Sequence, residues 1–161
     1  MKIEKAKITD IEILTQLSKI TFDDDTQKHG LGDEGGPPGY DSIEWQRSIM
    51  TEGLYYKIVQ DNKIIGGLIL FKKGKKHIEV GRIYIHPDFQ NQGLGTLIFN
   101  SLETLFPQTE KWTLDTPSWA HRNHHFYKKV GYTKVGEMSL ENEENTLFLF
   151  EKNIFRISEE K

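Results

Sequence analysis

The chain has 161 residues, with 21 Lys and Arg against 24 Asp and Glu, and its formal net charge of -3 leaves no basic footprint for nucleic acid. It has no cysteine, which excludes disulfides, thiolate nucleophiles and cysteine-based metal sites. No apolar run is long enough to span a bilayer and no signal-peptide h-region opens the chain, so a single soluble, cytoplasmic domain over residues 1–161 is expected.

Ile3 to Ile8 alternates apolar and charged residues, as an edge or half-buried strand would. Thr9-Asp10-Ile11-Glu12 is a capping-box pattern that predicts a helix running towards Phe22. Residues 23–40 read as a loop, with Asp23-Asp24-Asp25 followed by seven glycine and proline punctuations up to Gly39. Asp41-Ser42-Ile43-Glu44 repeats the cap signal and starts a short helix ending near Met50. Leu54 to Gln60 and Lys63 to Phe71 read as two strands joined by a hairpin turn at Asp61-Asn62. The charged tip Lys72 to Lys76 leads into a strand from His77 to Ile85, closed by His86-Pro87. A helix beginning near Gly93 places Leu94, Leu97, Ile98, Leu102 and Leu105 on one face. Lys111 to Asp115 is a short strand, and Thr116-Pro117-Ser118 initiates a helix that Gly131 ends. Strands at Tyr132 to Met138 and Thr146 to Lys152, with a polar turn at Glu141 to Asn145, complete the order β-α-α-β-β-β-α-β-α-β-β.

The chemistry centres on Gln90-Asn91-Gln92-Gly93-Leu94-Gly95-Thr96, a strand-to-helix turn. Two glycines let a ligand approach the backbone, and the first helical turn offers unpaired N–H groups at the positive end of the helix dipole. That arrangement suits an anion, and a phosphate best. A Rossmann fingerprint would need a third glycine where Ile98 stands, at the first strand of its domain; this turn lies past the midpoint. A P-loop would need a lysine after Gly95, where Thr96 stands.

The turn resembles the pyrophosphate-binding motif of the GNAT N-acetyltransferase superfamily, Gln/Arg-x-x-Gly-x-Gly/Ala, with Gln90, Gly93 and Gly95 in its defining positions. A second block, Asn123-His124-His125-Phe126-Tyr127-Lys128-Lys129-Val130-Gly131-Tyr132, resembles the family's Phe-Tyr-x-Lys-x-Gly-Phe/Tyr segment. The resemblance implies a mixed α/β fold with a central, mostly antiparallel twisted sheet of about seven strands and four helices. It implies acetyl-CoA as acyl donor and no metal. The strands at residues 77–85 and 111–115 are expected to splay, so that backbone groups of Ile83, Tyr84 and Ile85 bond the pantetheine arm. Gly81 is a candidate for the bulge where pairing lapses.

Direct acyl transfer needs a neutral amine, a polarised thioester carbonyl and a proton for the departing thiolate. By motif position Tyr127 supplies that proton, and phenol-to-thiolate transfer is uphill by only about 2 kcal/mol. Glu79 is the candidate base, at the spacing from Gln90 seen in some members of the family. It shares strand parity with Gly81, Ile83 and Ile85. Asn123 is a candidate for bonding the cofactor arm, although the family's asparagine falls nearer Ala120 here. His121, His124 and His125 lie on one helix, with the first two on a shared face. Without an HExxH pattern they are expected to be solvent-exposed or to contact phosphate rather than to bind zinc.

The acidic segment Asp23 to Tyr40, with Trp45 beyond it, falls where the family builds its acceptor site and would favour a cationic amine. The function expected is direct transfer of acetyl from acetyl-CoA to a primary amine, small and polar or cationic. Peptide N-termini and lysine side chains stay open as acceptors, as do longer acyl chains and a homodimer. The competing reading is a non-catalytic acyl-CoA-binding or sensing domain.

Overall fold

The structure is a computed structural model that describes residues 1–139 and 146–154. Among these, seven strands and four helices alternate: β1 (Lys2–Lys5), α1 (Ile11–Lys28), α2 (Ile43–Glu52), β2 (Leu54–Gln60), β3 (Lys63–Gly74), β4 (His77–Ile85), α3 (Leu94–Leu105), β5 (Lys111–Pro117), α4 (His121–Lys129), β6 (Thr133–Ser139) and β7 (Thr146–Asn153). The element order is the expected one. The strands hydrogen-bond in the order β1-β2-β3-β4-β5-β7-β6. The sheet is mostly antiparallel, with β4–β5 a parallel pair. The chain divides into two compact units, one of Met1–Phe71 with Gly81–Leu94, the other of Lys72–Val80 with the residues from Gly95 onward. The expected turn at Glu141 to Asn145 lies outside the described residues.

In the first unit, β1, β2 and β3 form an antiparallel ladder. The β2–β3 turn is the predicted one: Asp61 and Asn62 stand at φ +52° and +64°, the left-handed pair that a two-residue hairpin needs. Leu14, Ile49, Tyr55, Ile69 and Tyr84 make the buried core, with Phe22, Trp45 and Phe71 against it. Inside this core the Tyr84 and Tyr55 hydroxyls lie 2.6 Å apart. Tyr55 donates to Gln46 Oε1, and Tyr84 lies 3.2 Å from the Leu14 carbonyl. Two hydroxyl protons thus serve three contacts, so the longest, to Leu14, is the weak one. Burial pushes the Tyr55 phenol up to about 12 and Tyr84 well above the usual value, which keeps both neutral.

Three local expectations fail here. The first strand ends at Lys5, and Ile8 belongs to a 3₁₀ turn. That turn is capped by Asp10, whose carboxylate accepts from the Lys7 N–H at 2.8 Å, rather than by Thr9. The helix α1 then continues through Asp23-Asp24-Asp25 to Lys28 instead of stopping near Phe22. Lys19–Asp23 at 2.7 Å and Lys28–Asp24 at 2.8 Å, both i,i+4, offset the poor helix propensity of three aspartates.

In the second unit, β7 lies between β5 and β6, both antiparallel to it. The parallel ladder of β4 with β5 runs from His77↔Lys111 to Glu79↔Thr113, whereas β5 goes on pairing with β7 as far as Pro117↔Leu147. On β5, Trp112, Leu114 and Thr116 are buried, while Lys111 and Asp115 are exposed. Leu114 stands opposite Phe150, and Thr113 opposite Glu151, so the two faces of this ladder differ in polarity. The buried face of α3 is Leu94, Ile98, Phe99 and Leu102. Leu97 and Leu105, expected on that face, are 51% and 48% exposed. The stripe is an i, i+4, i+8 row widened by Phe99, and Leu97 lies off its other side.

The start of α4 also differs from expectation. Thr116 and Pro117 are the last residues of β5, still paired with β7, and the helix begins at His121. The Pro117 carbonyl instead accepts from the Ala120 N–H at 3.1 Å, a turn that delays the helix. Gly131, at φ +106°, ends it as predicted.

Candidate functional site

β4 ends at Ile85, and a 3₁₀ turn at Pro87–Phe89 carries the chain to Gln90. The Gln90 amide Nε2 donates to the Ile85 carbonyl at 2.8 Å, and the Gln92 amide to the Asp88 carbonyl at 3.3 Å. The motif's glutamine therefore fixes the strand end to the turn. Asn91 at φ +62° and Gly93 at φ +80° both take the left-handed backbone, and α3 starts at Leu94. Asn91, Gln92 and Gly93 are exposed, Leu94 is buried, and Gly95 and Thr96 are half-buried. The first-turn N–H groups of α3, from Leu94 through Thr96, have no intrahelical acceptor and suit an anion.

The two glycines do different work. A Cβ at Gly93 would meet nothing within 4 Å, so that position is constrained by its φ alone. A Cβ at Gly95 would lie 3.0 Å from Phe126 Cζ, so this glycine lets α3 sit close on the ring of α4. On β4, Tyr84 is buried with its side chain in the core network, while Ile83 and Ile85 are half-buried. At Gly81 the notable neighbour is the Phe71 ring, which a Cβ would meet at 2.4 Å.

Tyr127, on α4, is half-buried in an aromatic cluster. Its ring centroid lies 5.8 Å from Phe99, 5.7 Å from Phe126, 6.3 Å from Tyr132 and 5.8 Å from Phe150. Phe99 of α3 was not legible as part of this site; its signal is only that it widens the apolar stripe of its helix. Burial, with Glu103 and Tyr127 nearby, pushes the Tyr132 phenol far up, so it stays neutral. Asn123 is exposed in the first turn of α4, where its backbone N–H donates to Ala120 at 3.0 Å.

Glu79 occupies the last rung of the parallel ladder, opposite Thr113. Its Oε1 lies 3.4 Å from Lys73 Nζ, an ion pair that sequence spacing did not indicate. Thr113 shares its face with Glu151, while Tyr127 contacts Phe150 on the other. Glu79 and Tyr127 therefore address opposite faces of the β5–β7 ladder.

The histidines separate. His121 and His124 do share a face, with ring centroids 5.5 Å apart. His124 is buried rather than exposed: its Nε2 bonds the Pro117 carbonyl at 2.8 Å, and its ring lies 4.9 Å from Phe148. His121 and His125 are exposed. Among the described residues no group of three His, Cys, Asp or Glu side chains could hold a metal ion.

The acidic segment is mostly committed to internal contacts. Asp23 Oδ1 accepts from the Tyr40 hydroxyl at 2.7 Å and the Gly35 N–H at 2.9 Å, and Oδ2 pairs with Lys19. Trp45 lies under the Arg82 guanidinium at 4.2 Å, and Arg82 donates to the Pro38 carbonyl at 2.7 Å. Tyr40 is buried against Phe22. Asp23, Tyr40 and Trp45 are thus each engaged in contacts within the first unit. Burial opposes the Asp23 charge, but Lys19, the Tyr40 hydroxyl and the Gly35 N–H outweigh it and hold the carboxyl below its usual value. A depressed carboxyl stabilises the fold above its unfolded pKa and loses that contribution as pH falls through the folded one. Asp23→Asn is therefore expected to cost about 2 kcal/mol at pH 7. In urea melts across pH, parent and variant should converge below the ordinary aspartate value of 3.8. A gap that persists on acidification would assign the loss to geometry instead.

The profile of the acetyltransferase (GNAT) family matches residues 15–132. The chain belongs to that family. Over 102 residues it is 31% identical to the uncharacterized protein YrkN of Bacillus subtilis (strain 168), covering 62% of this chain. The match spans 55% of the length of that curated relative. Among solved structures, a GNAT family acetyltransferase from Elizabethkingia anophelis with acetyl-CoA bound superposes at a TM-score of 0.60, with 22% identity over 74% of this chain and 93% of that one. The ribosomal-protein-S18-alanine N-acetyltransferase of Escherichia coli superposes at 0.77, with 14% identity over 98% and 96%. A spermidine N-acetyltransferase SpeG chimera from Vibrio cholerae and hSSAT gives 0.72, with 15% identity over 94% of each chain. At these identities the likeness is one of fold.

Proposed function

We propose that this chain transfers the acetyl group of acetyl-CoA directly to a primary amine, without an acyl-enzyme. The observation that carries the reading is the turn Gln90–Thr96, where two left-handed residues deliver the chain into the first turn of α3. Its role is to hold the pyrophosphate of the cosubstrate on backbone N–H groups of Gln92 to Thr96. Backbone groups of Ile83, Tyr84 and Ile85 pair with the pantetheine amides, and one of their N–H groups polarises the thioester carbonyl. Tyr127 gives the departing thiolate its proton, and Glu79 takes one from the amine. Asn123 is assigned a supporting contact to the cofactor arm. The acceptor is a primary amine, small and polar or cationic; Asp23, Tyr40 and Trp45 are engaged in the contacts described above.

Calorimetry with acetyl-CoA, followed by free-thiol release against a panel of amines, tests this directly. Binding with amine-dependent release is expected. Binding without release from small amines, peptide N-termini or lysine peptides would favour an acyl-CoA sensor. Absence of binding would remove the assignment of the turn.

A further inference from the structure

Around Glu79 the second unit holds a polar cluster whose other members, His77 and Thr113 among them, the roles above leave unused. His77 and Glu79 are two residues apart on β4, so both project from one face, with Cα atoms about 7 Å apart. Thr113, opposite Glu79 on β5, reaches back along that face, and its Oγ1 lies 2.8 Å from His77 Nε2. The threonine thus links the two positions at the rung where the parallel ladder ends. The charged groups facing His77 come from every neighbouring strand: Lys73 of β3, Glu79 of β4, Lys111 of β5 and Glu151 of β7. Two cations stand against two anions, and burial lowers the imidazole pKa, with Lys111 adding to it, so the ring is neutral at pH 7. Lys73 and Lys111 are themselves paired, with Glu79 at 3.4 Å and Glu151 at 3.3 Å. By reference values an imidazole, at about 6.5, is a better proton acceptor near pH 7 than a carboxylate, at about 4.3.

We infer that His77, held by the Thr113 hydroxyl, is the proton acceptor behind Glu79 and carries the amine's proton to solvent. This rests on the acetyltransferase reading. The ammonium form of the acceptor gives one proton to the Glu79 carboxylate, which passes it through water to His77 Nδ1, in the tautomer whose Nε2–H donates to Thr113 Oγ1. The imidazolium then releases it to solvent. The freed lone pair forms the N–C bond and the C–S bond breaks. The thiolate takes the Tyr127 proton, and Tyr127 recovers one from the new amide nitrogen through water. One proton leaves to solvent and one ends on sulfur. His77 acts through Glu79, so it is a positioning residue for that proton.

The test is the pH dependence of kcat/KM for thiol release with parent, His77→Gln, Thr113→Val and Thr113→Ser, alongside acetyl-CoA affinity and an NMR titration of the His77 ring. The parent should lose activity as pH falls through the His77 pKa, which should titrate below the reference value. His77→Gln should lose about 100-fold at pH 7, abolish that acidic limb and leave acetyl-CoA affinity unchanged. Thr113→Val should shift the limb and Thr113→Ser restore it. A His77→Gln profile that overlays the parent, or a ring titrating at or above the reference, would overturn the inference while leaving the transferase standing. A uniform loss with weakened acetyl-CoA binding would make the role structural and overturn it too. A parent that releases no thiol with any amine would overturn the transferase reading and this inference together.

Discussion

Tyr127→Phe is expected to lower kcat by about 100-fold or more while acetyl-CoA affinity stays within about twofold. The substitution removes one oxygen and keeps the ring. Contacts to Phe99, Phe126, Tyr132 and Phe150, at centroid distances of 5.7 to 6.3 Å, are edge and tilted ring packing that a phenyl group reproduces. The aromatic cluster should therefore hold, and the first turn of α3 beside Phe126 with it. What disappears is a phenolic proton donor, and the reference pKa of a phenol, about 10, lies close enough to a thiol's for transfer. Stopped-flow thiol release at saturating amine measures the loss. Unchanged turnover would return Tyr127 to a packing role, and the thiolate would take its proton from water.

Gly95→Val is expected to weaken acetyl-CoA binding by about 100-fold, more than Gly93→Ala does. At Gly95 a Cβ already lies 3.0 Å from Phe126 Cζ and 3.3 Å from Cε1, before the two valine methyls are added. Phe126 cannot swing aside cheaply, because Phe99 and Tyr127 hold it at 5.5 and 5.7 Å. The start of α3 must move instead, and the N–H groups assigned to phosphate move with it. At Gly93 the surroundings are open, so an alanine there costs only the left-handed backbone, about 1–2 kcal/mol. Calorimetry on both variants, with thermal melts to confirm folding, measures the contrast. A Gly95→Val affinity within threefold of the parent would place the phosphate elsewhere.

The unequal work of those glycines shows where sequence reading stops. The motif marks both positions and gives no sign that one serves the backbone and the other a neighbouring ring. The same division recurs along the chain. The limits of β2 and β4, the Asp61-Asn62 turn and the Gly131 helix end follow from local requirements, and all were legible. The length of α1 was not. Its aspartates read as a loop until Lys19 and Lys28 are seen to pair with Asp23 and Asp24. His124 read as solvent-facing until the Pro117 carbonyl and Phe148 claimed it.

By itself the sequence determined the order of elements, the glycine turn and the family, because each depends on residues within a few positions of one another. Backbone angles, caps and strand alternation are local, and local energetics leave their record in spacing. Only the tertiary structure decided which polar groups are already occupied. Asp23 is committed to Tyr40 and Gly35, Glu79 to Lys73, and His77 to Thr113, each through a contact at least six residues distant in the chain. Such contacts set which atom of a carboxylate or imidazole stays open for chemistry, and proximity across strands is set by folding.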